Sequence, residues 1–232
     1  MKQWTVFDLE FTDLIQTPLQ ETLHIACASI FSTGDTFPQV WYEDNSELYL
    51  SETTLVAFIQ TLQQLESQGH TIVTWGGSSS DWKLLHKECP SLQTEIISMA
   101  LRSVDIPMCS CMAIGTMMGL SSAAEAIGFK FKEESDSKEV PALWRSQNSE
   151  DKLKVLQHVS NDSYATMQVL LRSLEKKILP WISKKLEVKY WYNVEYCTVS
   201  ECLQKELPKV PFPILSHQNP KLLARWLSGF LL

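Results

Sequence analysis

Asp8 and Glu10 stand two residues apart in the run Gln-Trp-Thr-Val-Phe-Asp-Leu-Glu-Phe, residues 3 to 11. β-Branched and aromatic types dominate that run, which predicts a strand. Side chains alternate faces along a strand, so the two carboxylates project to one side while Phe7, Leu9 and Phe11 project to the other. Like charges so placed repel, and desolvation adds to the cost unless they reach solvent at the strand end or a cation neutralises them. Two readings follow: a solvated strand end with two surface acids, or a site for a hard divalent ion. An all-oxygen ligand set suits Mg²⁺ or Mn²⁺ rather than zinc. Two more acids recur at element boundaries or inside elements. Asp81 follows Gly76-Gly77 and Ser78 to Ser80 and opens a helix, where the helix dipole alone would also favour it. Asp162 lies in a late helix with His158 four residues before it, so both share a face.

These residues need elements to hold them. Leu23 to Phe31 is a second apolar run, and Ser32-Thr33-Gly34-Asp35 supplies turn chemistry before a third strand over 36–42, whose Pro38 belongs at a sheet edge. Leu55, Phe58, Ile59, Leu62 and Leu65 recur at helical spacing between Ser51 and Gly69. Thr71 to Trp75 is a short buried strand, and Ser78 to Ser80 offer caps for the helix starting near Asp81. Beyond Pro90 the pattern turns mainly helical, with short segments over 121–127 and 142–146 and a long helix from about Glu150 to Leu174 that carries His158 and Asp162. Four prolines between Pro208 and Pro220 predict an extended arm before a last helix over 222–227; the expectation is one domain over 1–232 with this arm and helix at about 205–232.

The order Asp-x-Glu on the first strand, Asp after the fourth strand and a late helical aromatic-x-x-x-Asp resembles the DEDD 3′–5′ exonucleases of the ribonuclease H-like superfamily. Gly119-Leu120, Pro141-Ala142-Leu143-Trp144 and Asn161-Asp162 are similar to stretches of bacterial exonuclease-like members. The resemblance implies an α/β, ribonuclease H-like fold with a mixed central β-sheet of about five strands flanked by helices. It implies a 3′–5′ exonuclease in which two Mg²⁺ or Mn²⁺ ions, held by Asp8, Glu10, Asp81 and Asp162, hydrolyse phosphodiester bonds of nucleic acid from a single-stranded 3′ end. By the same resemblance Asp8 bridges the ions, Glu10 and Asp162 serve the nucleophile side, Asp81 serves the leaving-group side, and His158 positions the water. The chain departs from the family in placing a histidine at the spacing used by tyrosine members; histidine can act as a general base where tyrosine mainly orients water. That departure supports an alternative, a catalytically weak or inactive nucleic-acid-binding module on the same fold.

The 232 residues carry 20 Lys+Arg against 27 Asp+Glu, a net charge of −7 with pI near 5.3. That balance excludes coating nucleic acid or anionic membrane by bulk charge. No stretch approaches ~18 consecutive apolar residues, and Asp8 and Glu10 interrupt any signal-peptide core, so a cytoplasmic location with no membrane contact is expected. The six cysteines form no Cys-x-x-Cys pair, and neither Cys109 nor Cys111 has a His or Cys close enough in sequence for a familiar zinc pattern, which predicts buried reduced thiols. Asp13 and Asp105 read as loop or cap acids. Lys176, Lys177, Lys184, Lys185 and Lys189 near Trp181, Tyr190, Trp191 and Tyr192 read first as a solvated helix face with core aromatics, second as a surface that tracks phosphates and stacks bases. His24, His70, His86 and His217 have no partner at ligand spacing.

Overall fold

In the computed structural model, which describes residues 2–13, 23–43, 48–129, 138–209, 214 and 219–231, the strand carrying Asp8 and Glu10 is the middle of a five-stranded sheet. The strands are β1 (Gln3–Phe11), β2 (Ile25–Ser32), β3 (Gln39–Trp41), β4 (His70–Thr74) and β5 (Val104–Asp105), in the order β3-β2-β1-β4-β5. β1 runs antiparallel to β2 and parallel to β4, and β5 is parallel to β4, so the sheet is mixed. The third strand is shorter than its sequence suggests: it begins after Pro38, which has no amide to donate, and it lies at the sheet edge as expected.

The alternation along β1 separates two layers. On one face, the Phe7 ring meets Phe58 of α1 (Glu52–Ser67) and Trp82 of α2 (Asp81–Glu88) edge-on, with centroids 5.8 and 4.7 Å apart. Such pairs add about 0.5–1.5 kcal/mol beyond simple burial. Ser51 caps α1 by accepting from the Thr54 N–H, and Leu55, Phe58, Ile59 and Leu62 form its buried stripe. On the other face lies α7 (Ser149–Lys176), begun by an Asn148 cap that accepts from the Glu150 N–H. β2 is buried along its whole length and presents small residues. The Ser29 and Ser163 hydroxyls therefore come within 2.6 Å, and Phe31 packs on Tyr164 at 5.3 Å.

The remaining helices are α3 (Gln93–Arg102), α4 (Ile106–Ile114), α5 (Leu120–Ala126), α6 (Val140–Arg145), α8 (Val199–Gln204) and α9 (Pro220–Leu223). α6 and the first half of α7 enclose a second apolar cluster in which Val140, Trp144, Val155 and Val159 cover Ala26 and Cys27 of β2. The predicted last helix divides into α9 and a 3₁₀ segment, Arg225–Phe230; part of the proline arm, including His217, lies outside the described residues. No described helix is long and apolar enough to cross a membrane.

The lysine-rich, aromatic stretch corrects the expectation of a helix face. Lys176 ends α7 and Lys177 caps it, and the rest is an antiparallel hairpin, β6 (Ile178–Ile182) and β7 (Val188–Tyr192), paired from Ile178↔Tyr192 to Ile182↔Val188. The alternation of a strand buries Trp191 and exposes Tyr190 and Tyr192, whose rings stack at 5.7 Å.

Candidate active site

Asp8 and Glu10 leave β1 on the face covered by α7. Their cross-strand partners are Ser29 and Cys27, and the register shifts between Glu10 and Phe11, at the end of the ladder. Small partners on β2 leave room above the strand, and α7 fills it with His158 and Asp162. His158 Nε2 lies 3.4 Å from Glu10 Oε1 and 3.9 Å from Asp162 Oδ2. The ligand atoms of Glu10, His158 and Asp162 all fall within 4.8 Å of one another.

Asp81 arrives from the other side of β1 by way of the turn after β4. Gly76 sits at φ +85°, and a Cβ on Gly77 would come within 2.7 Å of Thr74 Cβ and 2.8 Å of Asp81 Oδ2. Glycine is required at 77 because the turn passes directly over the Asp81 carboxylate. The expected serine caps are not what holds this turn: Ser80 is the N-cap residue of α2 but makes no side-chain cap bond. The anchor is Asp105, at the end of β5. It accepts from the Ser78 hydroxyl at 2.6 Å and the Ser78 N–H at 2.9 Å, from the Gly76 N–H at 3.3 Å, and from the Met108 N–H at 3.1 Å. The last of these makes Asp105 the N-cap of α4, as the sequence suggests, while the others bind it to the turn that presents Asp81. Asp13 faces Arg145 at 3.7 Å.

Burial pushes the Asp8 carboxyl well above the usual carboxylate range, and Asp162, Glu10 and Asp81 push it further. Burial lifts Asp81 to about 7, with a hydrogen bond from Ser80 pulling it down and Asp105 adding to the rise. Cys27 is raised by burial and by Glu10 and Asp8. Burial holds His158 below its ordinary value, and neither of its buried ring nitrogens has a hydrogen-bond partner among the described residues. Oxygen donors from β1, α2 and α7 that make one another costly to ionise, beside a buried imidazole with unused nitrogens, fit a hard divalent cation.

A cavity of about 410 Å³ lies beside the turn that presents Asp81, bounded by Phe11, Ser80, Lys83, Leu84, Trp226 and Phe230 among others and not by the acids themselves. Trp226 donates its indole N–H to the Ser78 carbonyl at 2.9 Å, so the C-terminal 3₁₀ segment closes the cavity and braces the Asp81 turn together. Burial, then Arg225, lowers the pKa of Lys83. The sequence offers no signal for this wall, since Trp226 is nearly 150 residues from Ser78.

The other histidines are absorbed by structure: His24 pairs with Glu88 at 2.9 Å, His70 with Thr5 at 2.9 Å, and His86 packs on Trp226. Cys111 stays in the core, but Cys109 meets Cys197 and Cys202, which lie far from it in sequence.

Residues 5–173 match the sequence model of a family described as the RNase_H superfamily. Among solved structures the chain is similar to the family B DNA polymerase from the hyperthermophilic archaeon Pyrobaculum calidifontis, with 15% identity and a TM-score of 0.53. The likeness covers 75% of this chain and 25% of the polymerase, so this chain spans about a quarter of that protein and the similarity is one of fold. No curated protein matches.

Proposed function

This chain belongs to the RNase H superfamily and has its fold, and from that premise we propose that it is a divalent-metal-dependent 3′–5′ exonuclease that hydrolyses nucleic-acid phosphodiester bonds by a two-metal mechanism. The observation that supports this above all is that Glu10 of β1 meets His158 and Asp162 of α7, their ligand atoms within 4.8 Å of one another, with Asp8 on the same face of β1. Asp8 would bridge two Mg²⁺ or Mn²⁺ ions, Glu10 and Asp162 would hold the one on the side of the attacking water, and Asp81 the one beside the leaving oxygen. Ions held there supply the Lewis acidity that generates a nucleophile from water and clamps the scissile phosphate.

The chain's own residues do the rest. Burial lowers the pKa of His158 and so favours the neutral ring, whose Nε2 would orient the water and take its proton.

The test uses a 5′-labelled single strand with Mn²⁺. The wild-type chain should shorten it stepwise from the 3′ end, and Asp8→Asn and Asp162→Asn should abolish shortening while retaining the native circular-dichroism spectrum. Equal inertness of wild type and variants on both DNA and RNA overturns the assignment and leaves a binding module on the same fold.

A further inference from the structure

Cys109, Cys197 and Cys202 lie on three separate pieces of chain: within α4, in the segment after β7, and within α8. Their sulfurs converge, with Cys197 to Cys202 at 2.9 Å and Cys109 at 3.9 Å from each of the others. The placement follows from local structure. Thr198 and Glu201 form a capping box that fixes the start of α8, so Cys197 stands just before the cap and Cys202 one turn inside the helix. α8 packs on α4, and Cys109 Sγ also approaches the Cys197 carbonyl at 3.2 Å. Cys109 and Cys202 are buried, whereas Cys197 is only partly covered, which leaves an approach from solvent at one sulfur. Hydrogen bonds among the three thiols lower the pKa of Cys197, with those of Cys109 and Cys202 raised in exchange, and Lys205 adds a positive charge beside Cys197.

The dimensions suit a soft ion. With a zinc–sulfur distance of about 2.3 Å, the sulfurs of a tetrahedral site stand about 3.8 Å apart. Two of the three edges already have that length, and the third reaches it by opening less than 1 Å. Thiolate donors select zinc or copper(I) and disfavour the hard ions suited to the carboxylates around Asp8.

We propose that Cys109, Cys197 and Cys202 form a three-thiolate site for a soft d¹⁰ metal ion, zinc foremost, which fastens α8 and the end of the hairpin to α4. Each thiol delivers its proton to solvent as it binds, and a water molecule completes the shell. The site is remote in chemistry from the acidic cluster and does not depend on the exonuclease reading.

The full-length chain, reduced and stripped with a chelator, is titrated with Co²⁺ as a zinc probe. A near-ultraviolet thiolate-to-cobalt charge-transfer band should saturate at one equivalent and bleach when Zn²⁺ is added. Cys109→Ser and Cys202→Ser should lose the band. Cys111→Ser, on the same helix outside the group, should keep it, as should Asp8→Asn, because carboxylates give no such band. A second measurement needs no variant: Zn²⁺ should slow alkylation of Cys109, Cys197 and Cys202 and leave Cys27, Cys89 and Cys111 unaffected, as read by peptide mass mapping. Absence of the band in the reduced wild-type chain overturns the proposal, and so does alkylation at the three thiols that zinc does not slow. A Cys197–Cys202 disulfide in the isolated protein, with no metal uptake after reduction, assigns the pair to redox chemistry and overturns it as well.

Discussion

Replacing Asp105 with asparagine removes one acceptor atom from a buried junction that no catalytic group touches. The carboxylate oxygens take two donors each: Oδ1 from Met108 and Gly76, Oδ2 from the Ser78 N–H and hydroxyl. An amide offers one oxygen, so either orientation turns an NH₂ group toward donors and two charge-assisted bonds are lost, each worth about 1.5–3 kcal/mol. Relief from burying a charge returns part of that sum, leaving about 3 kcal/mol. In a chain of this size 1 kcal/mol moves the melting temperature by about 2–4 °C, so Asp105→Asn should melt about 6–12 °C lower near neutral pH. Burial holds the Asp105 carboxyl above the ordinary carboxylate range despite the hydrogen bonds from Ser78, Met108 and Gly76. A raised carboxyl contributes most below its unfolded pKa and loses that contribution as pH climbs through the folded one. Asparagine does not titrate, so the gap between the two proteins should be widest in acid and narrow as pH rises through that window. The consequence for function runs through the loosened turn: Asp81 shifts, and Asp105→Asn should need more Mn²⁺ for half-maximal cleavage at temperatures where it is fully folded. Calorimetry across pH, with a metal titration of nuclease rate, checks both. Unchanged melting with an unchanged metal requirement refutes the role given to this residue.

Gly77→Ala should cost about 1–3 kcal/mol by overpacking against Thr74 and Asp81, read as a lower denaturation midpoint. Asp8→Asn should raise the melting temperature in chelator, because a charge that burial and its acidic neighbours make costly is removed; the same variant should lose the stabilisation that Mn²⁺ gives the wild type, measured by thermal shift. His158→Gln should keep the fold and lower turnover by about 10²–10⁴-fold, the range for loss of a general base, with little change in KM for the strand. Trp226→Ala removes a wall of the cavity and the bond to Ser78, and should lower stability by about 3–5 kcal/mol, measured as the shift of the denaturation midpoint in urea.

Much of the frame was legible because its signals are local. The period of two placed Asp8 and Glu10 on one face of β1, the i,i+4 spacing placed His158 with Asp162 on α7, and the apolar stripe of α1 followed from its own residues. What escaped depends on contacts across long stretches of chain. Asp105 is recognisable as a cap from Ile106 and Pro107, yet its hold on Ser78 requires β5 to lie beside β4. Cys197 and Cys202 reach Cys109 only through the packing of α8 on α4, which sequence spacing cannot express. The hairpin had a signal in Val188, Tyr190, Trp191 and Tyr192. Its turn, however, lacks glycine or asparagine, placing Leu186 at φ 59°, and Lys184 and Lys185 suggest a helix surface instead.

The middle strand is the first of the five to leave the ribosome and must wait for its partners on both sides. β1 waits for residues 25–32 and then 70–74 to zip against its two edges, and Asp162 follows Asp8 by about 150 residues. At ~5–20 residues per second that interval is about 10–30 s, during which Asp8 and Glu10 are ordinary solvated acids. Partial products of translation thus carry no assembled acidic cluster until α7 has docked.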